Sequence, residues 1–163
     1  MRNALLRRKG KTVRSTKIIA GAACAALMCI MAACAPSADI GQARTQLLAS
    51  DETHVVVSVT AGDETKSLYD VLSDFTQRGE ISIEGSESEY GFYITSVNGT
   101  ASDAEHFWAV YTTLGTYDGV SYSDAQYGTW EYEGRELASA SYCVSGLPLV
   151  EGELYALVFT SIS

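Results

Sequence analysis

The chain has 163 residues, which is the length of a single domain preceded by some leader sequence. Seven of its eleven basic residues precede residue 18, whereas all twenty acidic residues follow it. From residue 18 onward, four basic and twenty acidic residues give a net charge of −16. A surface of that charge repels phosphate backbones, which argues against nucleic acid as a partner.

The first 35 residues have the features of a secretory leader. Residues 1–17 contain seven basic residues and no acidic one, and an apolar run occupies residues 18–35. We interpret residues 1–33 as a lipoprotein signal peptide and leave them out of the folded domain. Because eighteen apolar residues also reach the lower limit for a membrane-spanning helix, an uncleaved anchor is the alternative.

The end of this run, MAAC, resembles the lipobox of bacterial lipoproteins, in which the cysteine becomes N-terminal and lipidated. The match predicts that Cys34 is lipidated and anchors the mature protein to the outer face of the cytoplasmic membrane, at the cell surface. Ordinary cleavage at an Ala-x-Ala site is the alternative, which Pro36 disfavours. Cys143 is then the one other thiol of the mature chain, so we expect a buried structural thiol and no internal disulfide.

Residues 34–52 are small and polar, and we interpret them as a tether to a domain at residues 53–163. The domain opens with HVVVSVT, whose β-branched side chains predict a strand. A helix that stops at Gly79 is predicted next. Its apolar side chains repeat at positions i, i+3, i+4 and i+7, namely Leu68, Val71, Leu72 and Phe75.

The remaining segments predict strands joined by turns. An acidic loop at residues 84–89 precedes YGFYITSV, which ends at Asn98-Gly99, a pair favoured in tight hairpin turns. HFWAVYTTL predicts a further strand, and Gly134-Arg135 predicts a type II′ turn between two later strands. The sum is an α+β domain, with one helix packed on one face of a mixed sheet.

The sequence contains no constellation of residues that is typical of an enzyme. Its two histidines, His54 and His106, stand far apart, and no pair of histidines or cysteines has the spacing of a metal site. Neither a nucleophile elbow nor a glycine-rich phosphate loop occurs. We therefore expect a protein without catalytic activity, metal or cofactor.

Aromatic residues are the most distinctive feature of the domain. The chain has ten tyrosines and two tryptophans, nearly all downstream of residue 89. Four tyrosines recur at every fifth position, namely Tyr117, Tyr122, Tyr127 and Tyr132. Tyrosine combines an apolar ring with a polar tip, which suits a surface that binds an amphipathic ligand or a partner. A packed hairpin with half-exposed tyrosines is the alternative.

Four motifs in register resemble the C-terminal domain of transcobalamin and intrinsic factor, and more closely a related family of bacterial surface domains of unknown function. They are L-x-x-V-L at residues 68–72, YGFYITSVNG at 90–99, Phe-Trp at 107–108 and Gly-Glu at 152–153. The resemblance implies a β-grasp-like fold, in which a sheet curls around one helix, here with a β-hairpin insertion after the Trp strand. In the vertebrate carriers this domain covers one face of cobalamin, which makes a corrinoid the leading candidate ligand.

We therefore predict a membrane-anchored extracytoplasmic binding module for a partly apolar small ligand, with cobalamin or another corrinoid as the candidate. The predicted contacts are aromatic side chains of the Trp strand and of the inserted segment, namely Trp108, Tyr111, Tyr117, Tyr122 and Tyr127. Core packing is the alternative for Trp108. The alternative function is a surface adhesion module that binds another protein or a cell-wall polymer.

Overall fold

A computed structural model describes residues 44–162 of the protein. The predicted signal peptide at residues 1–33, the predicted lipidation site Cys34 and the first part of the predicted tether lie outside the described residues. Within residues 44–162, no helix is long and apolar enough to cross a membrane.

The described residues form one α-helix, thirteen strands and one 3₁₀ turn. In chain order these elements are β1 (Arg44–Ser50), β2 (His54–Ala61), β3 (Asp63–Ser67), α1 (Leu68–Gln77), β4 (Ile83–Ser88), β5 (Gly91–Val97), β6 (Thr100–Ala101), β7 (His106–Thr112), β8 (Thr116–Tyr117), β9 (Val120–Ser121), β10 (Ser123–Tyr132), β11 (Arg135–Ala140), the 3₁₀ turn (Val144–Gly146), β12 (Pro148–Leu149) and β13 (Leu154–Ser161).

Six strands form one sheet in the order β1-β2-β13-β7-β11-β10. A three-stranded sheet, β4-β5-β6, and the pairs β3-β12 and β8-β9 lie beside it. The domain is therefore of the α+β class, as predicted. The expected mixed sheet is wrong, because the pairings among the described strands are antiparallel. A parallel pair needs a long crossover, and the helix α1 leads instead into a different sheet.

The helix α1 has a defined signal at each end. The backbone N–H of Ser67 donates to Oδ2 of Asp70 at 2.8 Å, which caps the N-terminus. At the C-terminus Gly79 has a φ of 73°, and the backbone N–H of Glu80 donates to the carbonyl oxygen of Phe75 at 3.0 Å. This is the longer bond of a Schellman motif, so the predicted stop at Gly79 is confirmed.

The main core lies between α1 and one face of the six-stranded sheet. It contains the four predicted helix positions and alternate residues of the central strands, namely Val55, Val57, Val59, Leu68, Val71, Leu72, Phe75, Trp108, Tyr155 and Leu157. Burying one apolar side chain of this size contributes about 1.5–3 kcal/mol. This layer therefore holds the helix on the sheet.

The opposite face of the six-stranded sheet is covered by one edge of that same sheet, the hairpin of β10 and β11. Val56, Leu137 and Ala156 are no more than 1 % exposed there. The ring of Trp130 on β10 lies 5.5 Å from the ring of His54 on β2, although three strands separate β2 from β10. The hairpin of β10 and β11 therefore curls over this face.

Two segments that the sequence assigned to a tether and a loop are strands. β1 lies within residues 34–52, the predicted tether, and pairs with β2 from Arg44 to Ser50. Its alternate residues are half-buried, but they include the small Thr45 and Ala49, so the hydrophobic pattern is weak. β4 takes up residues 84–88 of the predicted acidic loop, where its glutamates are exposed on a sheet edge that tolerates charge.

The hairpin turns are formed by residue pairs that end in glycine. The predicted turn at Asn98 and Gly99 is confirmed, with φ values of 50° and 84°. The turn between β10 and β11 consists of Glu133 and Gly134, with φ values of 49° and 76°. Two positive φ values define a type I′ turn, so the predicted type II′ turn is wrong, because Arg135 is already paired in β11.

Candidate functional site

A cleft of about 320 Å³ lies between β5, β7 and residues 139–144. It opens because β11 pairs with β7 at Thr112 and Tyr111 and then diverges from it. After β11 the chain continues into the 3₁₀ turn, which packs beside β5. The cleft thus lies where two neighbouring strands separate.

The floor of the cleft is the edge of β7. Residues 107–111 all line it, although successive side chains of a strand point to opposite faces. Five consecutive lining residues mean that the main chain of β7 borders the cleft. Along its other edge, β7 pairs with β13 at all seven residues from His106 to Thr112.

One wall of the cleft is β5, through Phe92, Tyr93 and Ile94. Gly91 lets β5 approach the 3₁₀ turn, because a Cβ on Gly91 would lie 2.2 Å from Oγ of Ser145 and its φ is 108°. The backbone N–H of Phe92 donates to the same Oγ at 3.0 Å. This contact fixes β5 against the turn and sets the position of the wall.

Exposed tyrosines surround the opening. Tyr127 is 76 % exposed and lies on a bulge of β10 between Asp124 and Thr129, where the pairing with β11 is interrupted. Tyr93 and Tyr142 are 49 % and 45 % exposed and also line the cleft. These rings can contact apolar groups, and their hydroxyls can hydrogen-bond to polar ones.

The structure brings three of the five predicted contact residues together. Trp108, Tyr111 and Tyr127 all line the cleft. Trp108 and Tyr111 are only 4 % and 8 % exposed, and Nε1 of Trp108 donates to the carbonyl oxygen of Thr100 at 2.9 Å. These two rings also belong to the core, so Tyr127 presents the most surface to a ligand.

Tyr117 and Tyr122 do not line the cleft with the other three. The hydroxyl of Tyr117 donates to the carboxylate of Glu64 on β3, and this bond raises the pKa of Tyr117 above its ordinary value of 10.0. Tyr122 packs against the main core, and its ring lies 5.4 Å from that of Tyr142. Both tyrosines therefore hold the segment around β8 and β9 against the rest of the domain.

Sequence reasoning missed Tyr93, Tyr142 and Cys143 as lining residues. Tyr93 had a signal, since it alternates with the core residue Ile94 and therefore lies on the exposed side of β5. Tyr142 and Cys143 had none, because their position depends on where β11 diverges from β7. Cys143 is a free, half-buried thiol, so the expected buried thiol is wrong.

The cleft is an uncharged surface in an acidic protein. Among the described residues, those that line it carry no charged side chain. Residues 44–162 contain four basic and nineteen acidic residues, a net charge of −15. Contacts inside the cleft are therefore apolar contacts and hydrogen bonds, while the surrounding surface repels anions.

Both histidines lie outside the cleft. Nδ1 of His54 lies 3.2 Å from Oδ2 of Asp51, and Nδ1 of His106 lies 3.2 Å from Oδ1 of Asp103. No three His, Cys, Asp or Glu side chains of the described part are placed to hold a metal ion. The cleft offers groups for binding rather than a paired acid and base.

A scan against models of protein families matches no family, and a search of the curated proteins finds no match.

Proposed function

We propose that the protein is an extracytoplasmic binding module that holds a partly apolar small ligand in the cleft beside β7. The observation that carries this proposal is a 320 Å³ cleft lined by aromatic side chains and by no charged one. Ligand sites typically have volumes of about 300–1,000 Å³ and are lined mostly by apolar and aromatic residues. The proposal includes no catalytic step and no resident cofactor.

A lipid anchor would keep this module at the outer face of the cytoplasmic membrane. The support is the lipobox-like motif that ends at Cys34, directly after an apolar run with a basic start. Replacing Cys34→Ser should release the protein from membranes or leave its precursor unprocessed. Normal processing together with unchanged membrane retention would contradict the anchor.

A β-grasp-like fold and a place in the transcobalamin C-terminal-like family belong to the same proposal. A sheet that curls and packs on one helix supports the fold. Two of the four family motifs border the cleft, since YGFYITSVNG supplies β5 and its turn and Phe107-Trp108 lies on β7. Two of the motifs that carry the resemblance thus lie at the candidate site.

Cobalamin or another corrinoid is the first ligand to test. A corrin ring offers an extended apolar face with amide side chains at its rim, which suits tyrosine rings and hydroxyls. A corrinoid is larger than a cleft of 320 Å³, so only part of its surface would be buried. We therefore expect modest affinity unless a second protein covers the rest.

Gel filtration tests this ligand directly. The purified protein, mixed with cobalamin at tens of micromolar, should co-elute with the visible corrinoid absorbance. Replacing Tyr127→Ala should weaken binding about fivefold or more, because an exposed lining ring is lost. Tyr90→Ala is the matched control, since Tyr90 is 79 % exposed but does not line the cleft. Elution without retained colour would reject the corrinoid.

A surface adhesion module is the second candidate. Exposed groups away from the cleft favour it, namely Tyr90 at 79 % exposure and the exposed acidic strand β4. In that case Tyr90→Ala would reduce binding to cell-wall material or to a partner protein, and Tyr127→Ala would leave it unchanged. The same pair of variants therefore separates the two functions.

A further inference from the structure

The backbone of β7 presents hydrogen-bonding groups to the cleft. In an antiparallel strand, the N–H and C=O of one residue point to the same neighbouring strand, and successive residues alternate. The backbone N–H of Thr113 donates to the carbonyl oxygen of Leu154 at 3.0 Å, on the side of β13. The backbone groups of Ala109 therefore point to β13, and those of Trp108 point to the opposite edge.

That opposite edge has no partner strand along most of β7. Pairing with β11 covers Tyr111 and Thr112, and the backbone N–H and C=O of His106 on this side bond to Asp103 at 2.7 and 2.9 Å. Residues 107–110 have no strand partner on this side within the described part of the chain. Unpaired edges at the outside of a sheet favour aggregation and are usually shielded. Here the unpaired edge lies inside the sheet, between two strands that have separated, and aromatic side chains flank it.

We propose that the cleft binds a short extended peptide, which adds as a strand to the edge of β7 at residues 107–110. This inference rests on the proposed function, because it names the ligand class for the same cleft. Strand addition takes its affinity from main-chain hydrogen bonds and its specificity from pockets for alternate side chains. The backbone N–H and C=O of Trp108 would bond one residue of the peptide.

The dimensions fit a ligand with about four residues inside the cleft. An edge of four residues spans about 13 Å at roughly 3.3 Å per residue. Alternate side chains of the peptide would lie on the face of Tyr111 and Tyr127, and the others on the face of Trp108 and Val144. The same length of peptide would fill the gap that the divergence of β11 leaves open.

The charges of the protein restrict the peptide further. The cleft itself is uncharged, so side chains that enter it should be aromatic or aliphatic. The strand β4, which pairs with the wall strand β5, carries the exposed Glu84 and Glu87, and residues 44–162 have a net charge of −15. Basic residues on either side of an uncharged centre therefore complement this surface.

Titration calorimetry with a blocked peptide, acetyl-Lys-Val-Tyr-Val-Tyr-Lys-amide, tests the inference on the purified protein. Two N-methylated versions carry the methyl groups on residues 2 and 4 or on residues 3 and 5. Only one of these sets faces β7, so one version should bind about tenfold or more weakly than the parent, and the other should bind nearly as the parent does. Replacing both lysines by glutamate should weaken binding about fivefold at low salt.

Each outcome is informative. Equal affinity of both methylated versions would overturn strand addition. A counterpart peptide in which leucine replaces valine and phenylalanine replaces tyrosine is tested in the same way. If neither peptide binds, but cobalamin or the neutral dye Nile red binds and Tyr127→Ala weakens that binding, the peptide inference is wrong and the proposed function stands. If none of these probes binds, the proposed function itself is wrong. The Tyr90→Ala protein serves as the control throughout, because it keeps the cleft intact.

Discussion

The two ends of β7 differ although they belong to one strand. At its C-terminal end, Tyr111 and Thr112 lie between β13 and β11 and are paired on both sides. Towards its N-terminal end, residues 107–110 are paired with β13 alone and border the cleft on the other side. One end is therefore closed by strands on both sides, and the other is open on the side of the cleft.

The cause of this difference lies in neighbouring strands. Pairing between β10 and β11 is interrupted between Asp124 and Thr129, which carries Tyr127 towards the cleft. Beyond β11 the chain is bound to β5 through the hydrogen bond to Ser145. The cleft therefore arises from the separation of two neighbouring strands.

The largest expected effect is at the closed end of β7. Leu137 on β11 is fully buried there. Replacing Leu137→Ala should lower the free energy of unfolding by about 2–5 kcal/mol, because a cavity remains after the side chain is removed. Urea unfolding measures this change. Tyr127→Ala, at the open end, is the control and should change stability by less than about 0.5 kcal/mol. Equal losses for both variants would contradict the division of β7 into two ends.

A smaller effect is expected for the buried hydroxyl of Thr112. Its Oγ1 donates to the carbonyl oxygen of Leu154 at 2.9 Å and accepts from the backbone N–H of Leu114 at 3.0 Å. Replacing Thr112→Val leaves that N–H without this acceptor and should cost about 1–3 kcal/mol. Thr112→Ser keeps the hydroxyl, so thermal unfolding should show a smaller loss for serine than for valine. The reverse order would contradict the role given to this hydroxyl.

Local sequence signals predicted the elements that are formed by neighbouring residues. The spacing of Leu68, Val71, Leu72 and Phe75 predicted the helix and its buried face, and Gly79 predicted its end. Asn98-Gly99 predicted a tight turn, because this pair adopts positive φ values at low cost. These signals lie within a few residues of the structure that they specify.

Long-range relations could not be predicted in this way. β1 belongs to the sheet because it pairs with β2. The small side chains of β1 give no strong pattern of their own. The cleft depends on the point at which β11 leaves β7, which the composition of β11 does not encode. Trp108 and Tyr127 could be named as aromatic candidates, but Tyr142 and Cys143 required the fold.

Cys143 provides a chemical probe of the open end. It is a free, half-buried thiol that lines the cleft. A bound peptide should slow alkylation of Cys143 by iodoacetamide about fivefold, because the bound fraction hides the thiol. Mass spectrometry of the proteolytic fragment that contains Cys143 measures the rate and excludes the leader cysteines. An unchanged rate at saturating peptide would show that the peptide binds elsewhere.

The smallest expected effect is a pH dependence at the start of β7. The backbone N–H groups of Glu105 and, to a lesser extent, His106 donate hydrogen bonds to the carboxylate of Asp103. These bonds lower the pKa of Asp103 below its ordinary value of 3.8. A carboxyl with a lowered pKa in the folded state stabilises the fold above its unfolded pKa, and this contribution is lost as the pH falls through the folded value. Replacing Asp103→Ala should therefore lower the melting temperature slightly at pH 7 and less in acid.

Melting curves of both proteins between pH 7 and pH 2 measure this difference. Glu87→Ala, on the exposed strand β4, is the matched control and should show little change at any pH. A difference between the Asp103→Ala protein and the natural one that grows as the pH falls would contradict the sign of the pKa shift.

Amide hydrogen exchange in β7 tests the central claim most directly. In the free protein, the amide of Trp108 should exchange about tenfold or more rapidly than those of Ala109 and Tyr111, which bond to β13. Adding the blocked Lys-Val-Tyr-Val-Tyr-Lys peptide should slow exchange at Trp108 and leave Ala109 unchanged. A Trp108 amide that is already as protected as Ala109 without peptide would contradict an open edge in the cleft.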